Sequence, residues 1–200
     1  MVFFDSIEMT KSKRLENLPW KISGLQDLNV LVGPNGCGKT TILGALTDIP
    51  KDSFEKKYCT DAVYTRHPGI DENIEFYVLF HKDLVNAKRD FDEYADAFFG
   101  AYDVMNTWKS AGQRASAQID DIMKVKNSII FIDEMDASLD WSGQLKFAKK
   151  LKTLSKTNQV FVATHSIVVC AAIKKVYDVQ RRMWTTYPEL KQTYFEKVKI

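Results

Sequence analysis

The chain has 200 residues, enough for one domain with a sizeable core, and its 45% hydrophobic and 27% charged content is that of a globular protein. A net charge of +2 excludes any reading that rests on a gross electrostatic field, so affinity for nucleic acid would have to come from local patches. No apolar run is long enough to cross a bilayer, the N-terminus lacks a signal-peptide pattern, and Cys37, Cys59 and Cys170 are odd in number without metal-ligand spacing, which points to a reduced, cytoplasmic protein.

In chain order, VFFDSIEM (2–9) reads as a strand with partial alternation, and LPWKI (18–22) as a second strand that Pro19 confines to an edge or a start. LNVLV (28–32) is a continuous apolar run, the mark of a strand buried on both faces, and KTTILGALTDI follows as a helix. DAVYTRH (61–67) and IEFYVLF (74–80) read as strands around the turn HPGIDEN. Leu84, Ala87, Phe91, Tyr94, Phe98, Ala101 and Met105 form a three-four apolar stripe, so 82–108 is expected to be one amphipathic helix. NTWKSAGQRASAQ (106–118) shows no clear hydrophobic period. SIIFID (128–133) is another buried strand, SGQLKFAKKLKTLSK a helix, QVFVATH (159–165) a strand, and TTYPELKQTYFEKVKI a short amphipathic helix. Alternating strands and helices predict an α/β fold of three layers with a mostly parallel sheet, and the adjacent strands of the front half predict an antiparallel N-terminal portion. The expected organisation is a single domain over 1–200, with 81–115 as a short helical insertion.

GPNGCGKTT matches the phosphate-loop pattern G-x-x-x-x-G-K-[ST]. Its span is Gly33, Pro34, Asn35, Gly36, Cys37, Gly38, Lys39, Thr40 and Thr41, between a predicted strand and a predicted helix. Glycines let successive N–H groups turn toward phosphate oxygens, and the helix aims its positive end at the same anion. Lys39 is expected on the β- and γ-phosphates of ATP and Thr40 on Mg²⁺. The strand 128–133 delivers Asp133 as the second Mg²⁺ ligand, with Glu134 next to it as the group that takes a proton from an attacking water.

With these motifs in place the chain resembles the ABC-type ATPases over about residues 2–175. GPNGCGKTT resembles their Walker A loop, SIIFIDE their Walker B strand with its catalytic glutamate, and ASLD (137–140) their D-loop. FVATHS is similar to their switch strand, with His165 lying 32 residues after Asp133, and SAGQ stands 23 residues before Asp133, at the place of the signature motif. The resemblance implies a P-loop core of ABC type and an ATP sandwich between two copies set head to tail. In that sandwich Ser110, Gly112 and Gln113 would serve the partner's nucleotide, His165 the γ-phosphate, and Asp140 the link between the two sites.

The chain departs from the family in three places. No glutamine lies between Thr40 and Ser110; His81, 42 residues past Lys39, is expected to take its place, with Asn86 as the alternative. Lys109 and Ala111 replace the usual leucine and glycine of the signature. The helical insertion is too short for a transporter's helical subdomain or an SMC-like coiled coil, and LNVLVGPNGCGKTTILGAL and ATHS most resemble the soluble branch that includes RecF-like and OLD-type ATPases. The function this implies is an ATP-driven dimeric switch in nucleic-acid processing, repair or defence. The alternatives are a transporter's ATP-binding subunit and a nucleotide-binding regulator with little turnover. Phe4, Trp20 and Tyr58 are candidates to stack on adenine. Lys146, Lys149 and Lys150 share one helix face that suits DNA phosphates, though a solvated face explains them as well.

Overall fold

The computed structural model describes residues 2–12, 19–48, 59–66, 74–80 and 110–194. Two sheets organise them. A three-stranded antiparallel sheet runs in the order β2–β1–β4, from β1 (Phe4–Ser12), β2 (Trp20–Ser23) and β4 (Cys59–Arg66). A six-stranded sheet runs β5–β6–β7–β3–β8–β9, from β3 (Leu28–Val32), β5 (Glu75–Phe80), β6 (Ser128–Asp133), β7 (Gln159–Ala163), β8 (Val176–Asp178) and β9 (Met183–Thr185). Its neighbours pair in parallel except for the hairpin of β8 with β9. The helices are α1 (Lys39–Thr47), α2 (Ala111–Ile122), α3 (Trp141–Leu154), α4 (Ile167–Ala172) and α5 (Tyr187–Tyr194).

Pleating divides the core in two. On one face of the parallel sheet Val30, Val32, Ile130, Ile132, Val160 and Val162 pack with Ala115 and Ile119 of α2 and Phe147 and Leu151 of α3. On the other, Leu31, Ile129, Phe131 and Phe161 pack with Ile42, Leu43 and Leu46 of α1 and with Ile7, Met9 and Ile22 of the antiparallel sheet. Every residue of β6 and β7 is buried, as their apolar runs require. β2 instead alternates, with Trp20 and Ile22 inward and Lys21 outward, where it meets Glu8 at 3.4 Å. Polar side chains also join the sheets: Tyr177 of β8 donates to Lys21 O (3.4 Å), Trp184 of β9 to Ser23 O (2.7 Å), and Gln159 makes the most buried of these ties. Gln159 of β7, fully buried, accepts from the N–H groups of Phe3 and Phe4 (3.1 and 2.9 Å) and donates to the carbonyls of Phe4 and Gln26 (2.9 and 3.2 Å).

The three-layer α/β architecture agrees with the sequence reading, with two corrections. The strands flanking HPGIDEN do not pair: β4 joins β1, whereas β5 pairs in parallel with β6. β5 is the more apolar of the two, and Phe76 stacks on Phe131 with centroids 6.3 Å apart, so it belongs in the buried sheet. The second correction is that, from Ala111 on, the stretch read as patternless belongs to the regular helix α2, with Ala115, Ile119 and Ile122 buried at four-three spacing. α4 and the β8–β9 hairpin were not anticipated. The helix expected over 82–108 lies outside the described residues, as do His81, Asn86, Lys109 and Tyr58.

Candidate nucleotide-binding and hydrolysis site

The phosphate loop links β3 to α1 on the edge where the parallel strands end. Gly33, Gly36 and Gly38 hold φ values of 147°, 79° and 99°, which only glycine adopts without strain. A Cβ on Gly33 would also meet Cys37 Sγ at 2.7 Å. Gly38 is the N-cap of α1 and no side chain caps the helix, so its first N–H groups are available to an anion. Lys39 is 4% exposed, with its ammonium donating to the carbonyls of Gly33 and Pro34 (3.0 and 3.1 Å) and 3.9 Å from Cys37 Sγ. Pro34, Asn35 and Gly36 form the exposed crest of the loop, and Thr41 sits half-buried in the first turn of α1.

Thr40 and Asp133 arrive from different elements and meet. The Thr40 hydroxyl donates to Asp133 Oδ1 at 3.3 Å, and Asp133 is buried at the end of β6. Two oxygen donors converging beside a phosphate loop fit the ligand chemistry of Mg²⁺. One residue on, Glu134 adopts φ 54° while its N–H donates to Ala163 O at 2.9 Å. That left-handed turn, which costs a non-glycine residue about 1–2 kcal/mol, brings the Glu134 carboxylate within 3.1 Å of His165 Nε2. Both side chains are about one-third exposed, so the pair is open to water and substrate.

Ser110 is the N-cap of α2 and forms a capping box. Its hydroxyl accepts from Gln113 N–H at 3.3 Å, and Gln113 Oε1 accepts from Ser110 N–H at 2.9 Å. Gly112 packs against the D-loop, where an added Cβ would lie 2.7 Å from Ser138 O. Asp140 caps α3 through Gly143 N–H at 2.6 Å. The candidate signature residue Gly112 is therefore held beside Ser138 of its own chain, and Ser110 faces solvent. Trp141, which follows Asp140, is 83% exposed; Leu145 one turn on and Ile167 after the switch loop are also exposed.

Two further expectations are corrected. Phe4 and Trp20 are 2% and 3% exposed and belong to the core, Trp20 meeting Tyr177 edge-on at 5.9 Å, so neither can stack on adenine. The basic face is also less charged than its lysines imply, because Lys150 pairs with Asp120 at 2.6 Å. β5 ends at Phe80, in register with Asp133, which brings the chain to the site just before His81.

Sequence reasoning missed Asp136, Gln144, Thr164 and Ser166. Asp136 is 3% exposed, and burial pushes its carboxyl above the usual carboxylate range. The available signal was an acid inside MDASL, on a segment otherwise apolar or small, and two hydroxyl residues flanking His165.

Residues 29–185 match the model of the ATPase family associated with various cellular activities (AAA), and the chain belongs to that family. Its architecture is that of the ABC-type P-loop ATPases. It is similar to CbiO1 from Clostridium perfringens, part of the ABC transporter complex CbiONQ, with a TM-score of 0.52 at 16% identity over 98% of this chain and 92% of that one. It is also similar to a structure described as an inward-facing metal-chelate type ABC transporter, with a TM-score of 0.54 at 18% identity over 93% of this chain and 84% of that one. At those identities the likeness is one of fold. A stretch of 67 residues, 34% of this chain, is 37% identical to the DNA repair protein RecN of Aquifex aeolicus (strain VF5) and spans 13% of that protein.

Proposed function

We propose that the chain is one Mg²⁺-dependent ATPase domain that pairs head to tail on ATP and acts as a switch in nucleic-acid processing, repair or defence. The observation that carries this is the placement of two pairs, Thr40 with Asp133 and Glu134 with His165, on one edge of the sheet beside the phosphate loop. The loop N–H groups and the start of α1 receive the phosphates, and Lys39 exchanges its carbonyl partners for phosphate oxygens. Thr40 and Asp133 would hold Mg²⁺, which would supply neutralising charge to the phosphates. Glu134 accepts a proton from a water aimed in line at the γ-phosphorus, and His165 donates to a γ-phosphate oxygen as charge develops. Ser110 keeps its hydroxyl hydrogen free while its oxygen caps α2, so a second copy can donate it, with the Gly112 N–H, to the same phosphate. His81 takes the place of the missing glutamine.

The RecN likeness supports the nucleic-acid setting, whether the partner is DNA or a protein that processes it. The fold shared with CbiO1 supports the second reading, an ATP-binding subunit of a transporter. No helix among the described residues is long and apolar enough to cross a membrane; the proposed location is the cytoplasm. Light scattering of Glu134→Gln with ATP tests the sandwich: its mass is expected to double, and a strict monomer counts against it. ATPase rates with and without DNA separate the readings. Stimulation supports the nucleic-acid switch, indifference favours the transporter subunit, and negligible turnover favours a nucleotide-binding regulator.

A further inference from the structure

His165 has anchored neighbours on both sides. The Thr164 hydroxyl donates to Asp136 Oδ2 at 2.6 Å and accepts from Ser166 N–H at 2.8 Å. The Ser166 hydroxyl donates to Gln144 Oε1 at 2.7 Å and accepts from Val169 N–H at 3.1 Å. Gln144 Nε2 then donates to the carbonyls of Leu139 and Asp136, at 3.1 and 3.4 Å. The path leaves Asp136 through its side chain and returns to its main chain, a closed ring around the switch loop.

We infer that Asp136, Thr164, Ser166 and Gln144 are positioning residues that set the His165 imidazole against Glu134. None of them hydrogen-bonds to the Glu134 carboxylate or the His165 imidazole; they act through the backbone of 164–166, with the Asp136 carboxyl close enough to feel the charge of both. Burial gives the ring its stiffness. Thr164 is 0%, Asp136 3% and Ser166 8% exposed, so water is kept from the bonds on the Thr164 side of the ring, while Gln144 closes it from a half-buried position. Asp136 Oδ1 is buried without a hydrogen-bond partner. An apolar residue would avoid that penalty, so packing alone does not explain a carboxyl here. The placement does: Glu134 N–H is tied to Ala163 O, Asp136 is tied to Thr164, and the two catalytic side chains project from the same short pair of segments.

This inference rests on the ATPase reading, and the test separates the two. In steady-state assays of the full chain, Thr164→Val is expected to lower kcat about a hundredfold, the scale of an ångström misplacement, while KM for ATP stays within about twofold. Thr164→Ser and Asp136→Asn, which can keep the bond, retain rates near wild type; Asp136→Ala, which breaks the ring from its other side, follows Thr164→Val. Histidine-labelled NMR gives a second readout that needs no turnover. In Thr164→Val and Asp136→Ala the His165 imidazole signal moves to the position it takes in Glu134→Ala. A folded Thr164→Val that turns over like wild type overturns the inference. So does a Thr164→Ser as slow as valine, or a His165 signal unmoved by either ring-breaking variant. A wild type that does not turn over overturns the ATPase reading, and the NMR signal still decides the ring.

Discussion

At Glu134 the chain leaves β6 through a left-handed residue, and that turn aims the carboxylate at His165. Strain at this position is part of how the site is built, as is the buried carboxyl of Asp136 two residues on. Asp136 yields a prediction with a defined sign. Its folded-state pKa lies above its unfolded value, mainly through burial, so its contribution is most favourable below the ordinary carboxylate range and is lost as pH rises through the folded value. Asparagine does not titrate. Measured by urea midpoints, Asp136→Asn should therefore gain on wild type as pH rises and level off above the folded pKa; a stability difference independent of pH would refute this. The phosphate loop, Asp133, Glu134 and His165 were legible from sequence because each motif is local. Asp136 with Thr164 and Ser166 with Gln144 were not, because those bonds close across 28 and 22 residues.

α2 shows how an element can hide. Its stripe has only Ala115, Ile119 and Ile122, and small and polar residues surround it, so no period emerges. The signal left unread was at its start, where Ser110 and Gln113 three residues later form a capping box. Gly112 has a role within its own chain that the family motif does not reveal, because it lets the first turn of α2 press on Ser138 O. Alanine would gain up to about 1 kcal/mol in helix propensity. A methyl 2.7 Å from a backbone oxygen, however, forces a shift worth about 1–3 kcal/mol, and the clash should win. Gly112→Ala is therefore expected to be less stable than wild type without nucleotide, by denaturant midpoint. Equal stability would leave Gly112 with only a role in contact with a partner. β4 and β5 mark another limit, since adjacency in sequence implied pairing and the apolar character of β5 sent it to the other sheet.

For the whole molecule, Gln159 is the most buried polar tie between two sheets that also share an apolar core. Its four hydrogen bonds tie β7 to the N-terminal strand and to the segment entering β3, and three of them are buried. Gln159→Leu keeps most of the volume and strands main-chain groups, a loss on the order of 3 kcal/mol. We expect the wild type to melt in one transition and the variant to melt earlier, with the antiparallel sheet loosening first. A variant as stable as wild type would show that the shared apolar core and the bonds of Tyr177 and Trp184 join the sheets without Gln159. The order and spacing of motifs made this architecture readable, whereas long-range polar ties such as Gln159 leave no periodic trace. Trp141 has a consequence of another kind. Trp20 is sealed in the core and the Trp184 indole is bonded to Ser23 O, but Trp141 stands in water on the rim beside the D-loop. In optical terms the protein carries its own lamp there: whatever covers that rim changes the colour and quenching of Trp141, and Trp141→Phe identifies its share of the light.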